Sequence, residues 1–211
     1  MGSLNRLAEL TEDWKYFTER DGLMSSLPLI VSDLVRLPYR HLKFVVIARS
    51  LLDPFPDWPP QVDLFIRPLE QYDLDLVRQL DRPSESRLDA QRLAQGHKGL
   101  VAFYNGQPAG YTWGSTDPFT RLERVHPKLS PGDVLFTDSY TLPAFRGRGV
   151  QTALTLARFI LFRELGFLRA ICTIEIHNKP SLSVWQKKLN GKTIGEIDFI
   201  RIGPRYRIRY F

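Results

Sequence analysis

Arg146-Gly147-Arg148-Gly149 is a stretch whose residue types and spacing could do chemistry. A glycine-rich turn feeding a helix start points several backbone N–H groups at one place. The helix dipole adds positive character there. Two arginines add formal charge and forked donors. The set makes a phosphate-binding device. The plainer reading is a basic surface turn. A strand before and a helix after favour the phosphate reading, because such a loop works only between the two.

Both elements are legible. Val134 to Leu142 is rich in β-branched and aromatic residues and is ended by Pro143, which reads as a strand. Val150, Leu154, Ala157, Leu161 and Leu165 recur every three or four residues, which reads as a helix. Further upstream, Leu7, Leu10, Trp14 and Phe17 predict a helix over 5–20, broken by Gly22 and Ser25-Ser26. A short helix is expected over 29–37, before Pro38. Residues 39–49 are basic and aromatic and pass into a strand. One reading makes them a surface for nucleic acid, an anionic membrane or an acidic substrate. The other, favoured, packs them as an amphipathic arm on the main domain, because so many apolar residues do not stay wet. The proline-rich run from Asp53 to Pro60 excludes a helix or a central strand. It divides the chain into an arm and connector, 1–60, and a main domain, 61–211.

In the main domain a strand over 62–69 leads to a helix over 71–80. Ser84 or Ser86 is expected to cap a helix to Gln95, closed by Gly96. Asn105-Gly106 between apolar runs predicts a hairpin of 99–104 with 108–113. A long polar loop, 115–133, could cover a substrate mouth. A strand over 168–176 and a helix over 179–189, capped by Asn178, follow the central helix. The last two strands, 192–202 and 205–211, turn at Gly203-Pro204.

Composition sets bounds. The chain has 211 residues, 43% of them hydrophobic and 12% aromatic, which suits a globular fold with a real core. Its net charge of +6 favours anionic partners without choosing among them. Cys172 is the only cysteine, so no intrachain disulfide forms, and its apolar surroundings read as core. The start has no basic-then-apolar leader layout, and no run nears the ~20 apolar residues of a membrane span, so a cytoplasmic location is expected. His41, His97, His126 and His177 are far apart in sequence and lack metal-site spacing, so no metal is expected.

The central stretch resembles the signature of the GNAT N-acetyltransferase superfamily. That family's acetyl-CoA loop reads Gln/Arg-x-x-Gly-x-Gly/Ala. Arg146 and Gly149 fill the first two fixed positions, and Gln151 stands at the third. The lead-in 140–145 is similar to the family's, and so is the hairpin around Asn105-Gly106. Asn178-Lys179-Pro180-Ser181 and Val184 to Leu189 resemble the motif after the fifth strand. The resemblance spans about 62–200. It implies an α/β fold of α+β type: a mixed, mostly antiparallel sheet flanked by helices, splayed between the family's fourth and fifth strands. Here those are about 133–142 and 168–176.

The resemblance also implies a cofactor, acetyl-CoA, lying in the splay. Its contacts would be Tyr140, Thr141 and Leu142 on the strand. Arg146, Gly147, Arg148, Gly149, Val150, Gln151 and Thr152 would hold the diphosphate. Asn178, Ser181 and Trp185 complete the set. Trp185 stands where many members carry the tyrosine that protonates the leaving thiolate, and an indole N–H is no useful acid. Acetyl transfer needs an unprotonated amine, so a base near neutral pKa would serve. Asp138, Glu175 and His177 are the candidates, with Tyr140 as acid. Strand alternation puts Asp138 and Tyr140 on one face of the fourth strand, and Glu175 and His177 on one face at the end of the fifth.

The leading expectation is an acyl-CoA-dependent N-acyltransferase acting on an amine acceptor. A second is a GNAT-like binding or regulatory module with a weakened site, for which Gln151 and Trp185 count. A third is an RNA- or membrane-associated protein working through the arm; no RNA-binding motif supports nucleic acid, and residues 39–49 leave a membrane surface open. A homodimer is compatible with all three.

Overall fold

The computed structural model describes residues 3–36, 39–58, 62–80, 83–115, 126–202 and 205–211. The turn at Gly203-Pro204 and most of the 115–133 loop therefore lie outside the described residues. Helix α1 (Ser3–Asp21) stops at Gly22, whose φ of +82° suits a residue without Cβ. Helix α2 (Leu23–Arg36) starts at once, earlier than expected. Ser26 lies in the first turn of this helix instead of interrupting one, and its hydroxyl donates back to Gly22 O at 3.0 Å. Strand β1 (Tyr39–Ser50) precedes the connector, and β2 (Phe65–Pro68) follows it. Helices α3 (Leu74–Leu80) and α4 (Pro83–Ala94) come next. Ser84 and Ser86 fall inside α4, so neither is its cap. Pro83 takes the first helical position, where its missing N–H costs nothing.

Strands β3 (Lys98–Tyr104) and β4 (Gln107–Ser115) form the expected hairpin. Asn105 and Gly106 carry φ of +48° and +74°, the left-handed pair such a turn demands. Strand β5 (Asp133–Thr141), helix α5 (Val150–Glu164), strand β6 (Arg169–Glu175) and the short helix α6 (Lys179–Leu182) build the centre. A π-helical turn, Ser183–Lys188, continues α6 where a regular helix was expected. Strands β7 (Lys192–Ile202) and β8 (Arg205–Tyr210) end the chain.

All eight strands join one sheet, in the order β2-β3-β4-β5-β6-β1-β7-β8. Every pair is antiparallel except β5 with β6. Strand β1 is interior, pairing β6 on one side and β7 on the other. Its sequence shows why: Leu42, Phe44, Val46, Ile47 and Ala48 are all buried. The sheet thus runs across the boundary drawn at residue 60.

One face of the sheet is covered by α5 and the 183–188 turn. There Val134, Phe136, Phe159, Phe162, Cys172 and Trp185 form the main core. The opposite face carries Leu42, Phe44, Leu135, Ile171 and Phe199, and farther along it packs Tyr111 and Trp113 under α3. The buried stripe of α5 is rotated from the expected one. It contains Val150, Leu154, Arg158, Phe159 and Phe162, while Leu165 is exposed.

Candidate active site

The parallel ladder of β5 and β6 covers only Asp133–Phe136 against Arg169–Cys172. Strand β5 then continues to Thr141 and β6 to Glu175 without pairing to each other. The sheet forks here. At the closed end Arg169 grips Asp133 with two bonds of 2.8 Å each, and Ser130 N–H donates to the same carboxylate at 2.8 Å. Burial alone would raise the Asp133 pKa, but the Arg169 guanidinium and the Ser130 N–H outweigh it and hold the group below its ordinary value.

That shift has a sign. The folded pKa lies below the unfolded one, so the pair stabilises the protein above about pH 4, the unfolded value. The contribution fades as the pH falls through the lower folded value. Asp133→Asn is expected to lose about 2 kcal/mol at pH 7 and to show a smaller decline in stability on acidification than the parent. Urea unfolding at pH 7 and pH 3 checks this, and parallel losses in both proteins would contradict it.

Where the fork opens, β5 is irregular. Tyr111 pairs with Tyr140 and Trp113 with Thr137, so Thr112 alone faces two residues, Asp138 and Ser139. This is a β-bulge, and Asp138 adopts φ of +33° within it. The extra residue shifts the alternation. Phe136 packs on Phe159 of α5, whereas Tyr140 packs on Tyr111 under α3. Asp138 is on the side of Tyr140, where its carboxylate pairs with Arg92 of α4. Arg92 is 1% exposed and also donates to the buried Asp89 at 2.6 Å. On β6, Thr173 and Glu175 alternate with Ile174, which packs in the α5-side core, so they share the Asp138 face. His177 does not belong to that alternation: β6 ends at Glu175, and His177 is exposed in the following turn.

At the mouth of the fork the loop has the anticipated shape. Gly147 and Gly149 have φ of +78° and +85°. Ala153 N–H makes the first helical bond of α5, to Gly149 O, so the N–H groups of Val150, Gln151 and Thr152 are the unsatisfied donors of a helix start. Arg146 Nε donates to Thr141 O at 3.2 Å, and its guanidinium stands over the Tyr140 ring. Arg148 stands over Phe145. Gln151 Oε1 accepts from the Thr141 hydroxyl at 3.4 Å. Leu142 is tied to β4 through its N–H on Ala109 O. Asn178 accepts from Ser181 N–H at 3.3 Å and caps α6. Trp185 is buried, edge-on to Phe136 and Phe159, and so packs beneath the last paired residue of the fork.

The sequence did not single out Arg92 or Arg158. Both are about 1% exposed. Arg158 had a legible signal, its place four residues after Leu154 on the apolar stripe of α5. Arg92 had none, because its partner Asp138 is distant in sequence. Among the described residues no group of three or more His, Cys, Asp or Glu could hold a metal, and no helix is long and apolar enough to cross a membrane.

A family model described as the acetyltransferase (GNAT) family matches residues 65–191, more than half of the chain. No curated protein matches it. Among solved structures, a Drosophila protein superposes with a TM-score of 0.58 at 16% identity, over 85% of this chain and 58% of its own. A GCN5-related N-acetyltransferase from Sphaerobacter thermophilus gives 0.54 at 15%, over 90% of this chain and 56% of its own. This chain therefore spans less than two thirds of either. An aminoglycoside N-acetyltransferase, AAC(6')-Iy, solved in complex with CoA, gives 0.50 at 22%, over 62% of this chain and 93% of its own. At these identities the likeness is one of fold. The forked mixed sheet, the left-handed glycine loop at the fork's mouth and the matched residues agree: the chain belongs to the GNAT acetyltransferase family.

Proposed function

We propose that this protein transfers an acetyl group from acetyl-CoA to an amine. The observation that carries the reading is the fork opening beside the Gly147–Gly149 loop, which puts an unpaired strand edge next to a ring of free N–H groups. The diphosphate would sit on the N–H groups from Gly147 to Thr152, flanked by Arg146 and Arg148. The pantetheine arm would lie along Tyr140, Thr141 and Leu142, with Asn178 and Ser181 beyond it. The thioester would stand near the bulge, above the aromatic floor that Trp185 and Phe136 make.

The amine nitrogen attacks the thioester carbon, and a C–N bond forms as the C–S bond breaks. The nitrogen gives up a proton and the sulfur leaves as thiolate. Of the three candidate bases, Asp138 already holds Arg92. His177 is off the strand and in solvent. Glu175 is half-buried on the Asp138 face and has no side-chain partner among the described residues. Glu175 is therefore the base of this reading, with Asp138 fixing the geometry through Arg92. Tyr140 donates to the leaving sulfur, a role the core-packed Trp185 cannot fill. The Asp73–Arg67 pair, bidentate at 2.7 and 2.6 Å, anchors the strand-to-helix corner far along the sheet and takes no part.

The test begins with an amine panel and acetyl-CoA, following CoA release. With an acceptor in hand, Tyr140→Phe is expected to lower kcat by roughly 10²-fold with little change in the KM for acetyl-CoA. Glu175→Gln should lower kcat, because it removes the group that takes the amine proton. A Tyr140→Phe enzyme as fast as the parent would place the acid elsewhere. No CoA binding at all would overturn the reading.

A further inference from the structure

Arg158 is a charge in the core. It projects from the middle of α5 under the sheet and is 1% exposed. No carboxylate meets it among the described residues. Its Nη1 donates to Trp113 O at 2.6 Å and, more weakly, to Thr137 O at 3.4 Å. Its Nη2 reaches Thr155 Oγ1 at 3.5 Å. The guanidinium lies 4.1 Å from the centre of the Phe136 ring. Burial pushes its pKa down to about 9, which still leaves it charged at neutral pH. Burying such a charge without a counter-ion is costly, and an apolar side chain of similar length would pack here at less expense.

The place it occupies gives the reason. Trp113 and Thr137 are the cross-strand pair next to the bulge. A bulge interrupts the ladder and leaves backbone groups without strand partners, and such groups cannot stay buried and unbonded. Arg158 supplies donors to both carbonyls of that pair from below. The same contact fixes a direction. The Thr137–Asp138 peptide is trans and planar, so with its C=O drawn toward Arg158 the Asp138 N–H is aimed away from α5. A carbonyl that accepts from a cation also polarises its own peptide, which makes that N–H a better donor.

We propose that Arg158 is a positioning residue for acyl transfer: by clamping the carbonyls of Trp113 and Thr137 it fixes the bulge and aims the β5 backbone at the thioester carbonyl. This rests on the acetyl-CoA reading above. Arg158 touches neither cofactor nor acceptor. Its effect falls on the end of the fork where charge develops on the thioester oxygen, and spares the diphosphate loop.

The experiment compares the parent with Arg158→Met and Arg158→Lys. It measures calorimetric affinity for CoA and for acetyl-CoA, thermal unfolding, and the rate of CoA release with an accepted amine. Arg158→Met is expected to bind CoA within about twofold of the parent and to lose any preference for acetyl-CoA over CoA. Its kcat should fall roughly 10–10²-fold with the KM for the amine unchanged, the pattern of a lost transition-state donor. Arg158→Lys, which keeps the charge but has no fork, should recover part of kcat. A folded Arg158→Met with parental kcat, or one that loses CoA and acetyl-CoA affinity equally, overturns the role. If Arg158→Met does not fold, Arg158→Lys decides alone: a parental kcat overturns the proposal and a several-fold loss at unchanged CoA affinity supports it. A parent that binds neither CoA nor acetyl-CoA overturns the acetyl-CoA reading, and this proposal with it. A parent that binds both beside an unaffected variant overturns only the role of Arg158.

Discussion

Gly149→Val is expected to abolish detectable CoA binding while the sheet stays folded. Gly149 caps α5 with φ of +85°, a conformation that β-branched residues almost never adopt. The left-handed backbone alone costs about 1–2 kcal/mol for an L-residue. The larger effect is steric. On the proposed acetyl-CoA reading the loop backbone approaches the diphosphate at this residue, and a branched side chain would occupy that approach. Relief of the strain would also tilt the N–H groups of Val150, Gln151 and Thr152 off the anion. Together these predict a loss of roughly 10²-fold or more in affinity, or about 3 kcal/mol. Calorimetry with CoA measures it. Gly106→Ala is the control, because Gly106 shares the positive φ, at +74°, but lies in the β3–β4 turn. It should lose stability and keep CoA affinity. Unchanged CoA affinity in a folded Gly149→Val would show that the cofactor does not use this loop.

The second large effect is on folding. A chain starting at residue 51 is expected to yield no cooperatively folded protein. Removing β1 strips the bonded neighbour from both β6 and β7 and opens two interior edges. It also removes Leu42, Phe44, Val46 and Ile47, which are 6%, 5%, 4% and 0% exposed. At about 1.5–3 kcal/mol for each buried side chain, their burial is worth on the order of 10 kcal/mol. That equals the whole stability of an ordinary domain, about 5–15 kcal/mol. Ile47→Asp tests the same point with one substitution, since it puts a carboxylate against Trp185 and Leu189 in the main core. Circular dichroism and urea titration of the truncated chain give the answer. A sharp, native-like unfolding transition for residues 51–211 would mean that β1 is an accessory.

The fold class and the loop were legible because they are written locally. Asn105-Gly106 specifies a hairpin by its own dihedral preferences, and the two loop glycines specify the turn into α5 in the same way. The fork followed from the resemblance, and the early end of the β5–β6 ladder matches it. What the sequence hid depends on distance. Val46 meets Thr173, and the apolar run of β1 reads equally well as an arm lying on a domain. The bulge hid because one extra residue at Asp138 is invisible until β4 is laid beside β5. Arg92 and Arg158 hid because an arginine on a helix ordinarily faces solvent. Trp185 packs on Phe136 and Phe159, the ordinary behaviour of an indole in an aromatic core. After the 183–188 turn it is Asn190, not the neighbouring Gly191, that takes the left-handed conformation, at φ of +55°. Gly191 instead lets the chain pass close to Ile47, where a Cβ would come within 2.7 Å of that side chain.

The interior place of β1 also fixes an order of events during synthesis. Val46 leaves the ribosome 127 residues before its partner Thr173 (173 − 46), and β7 emerges later still. At about 5–20 residues per second the strand waits roughly 6–25 s without either neighbour. For that interval it is an apolar, hydrogen-bond-hungry segment of the nascent chain, with β2 to β5 able to assemble behind it. The last closure is then an insertion, in which an early strand enters between two late ones. Such a step closes the longest loop in the sheet, so it is the slow one, and the one most open to capture by a chaperone or by a second nascent chain.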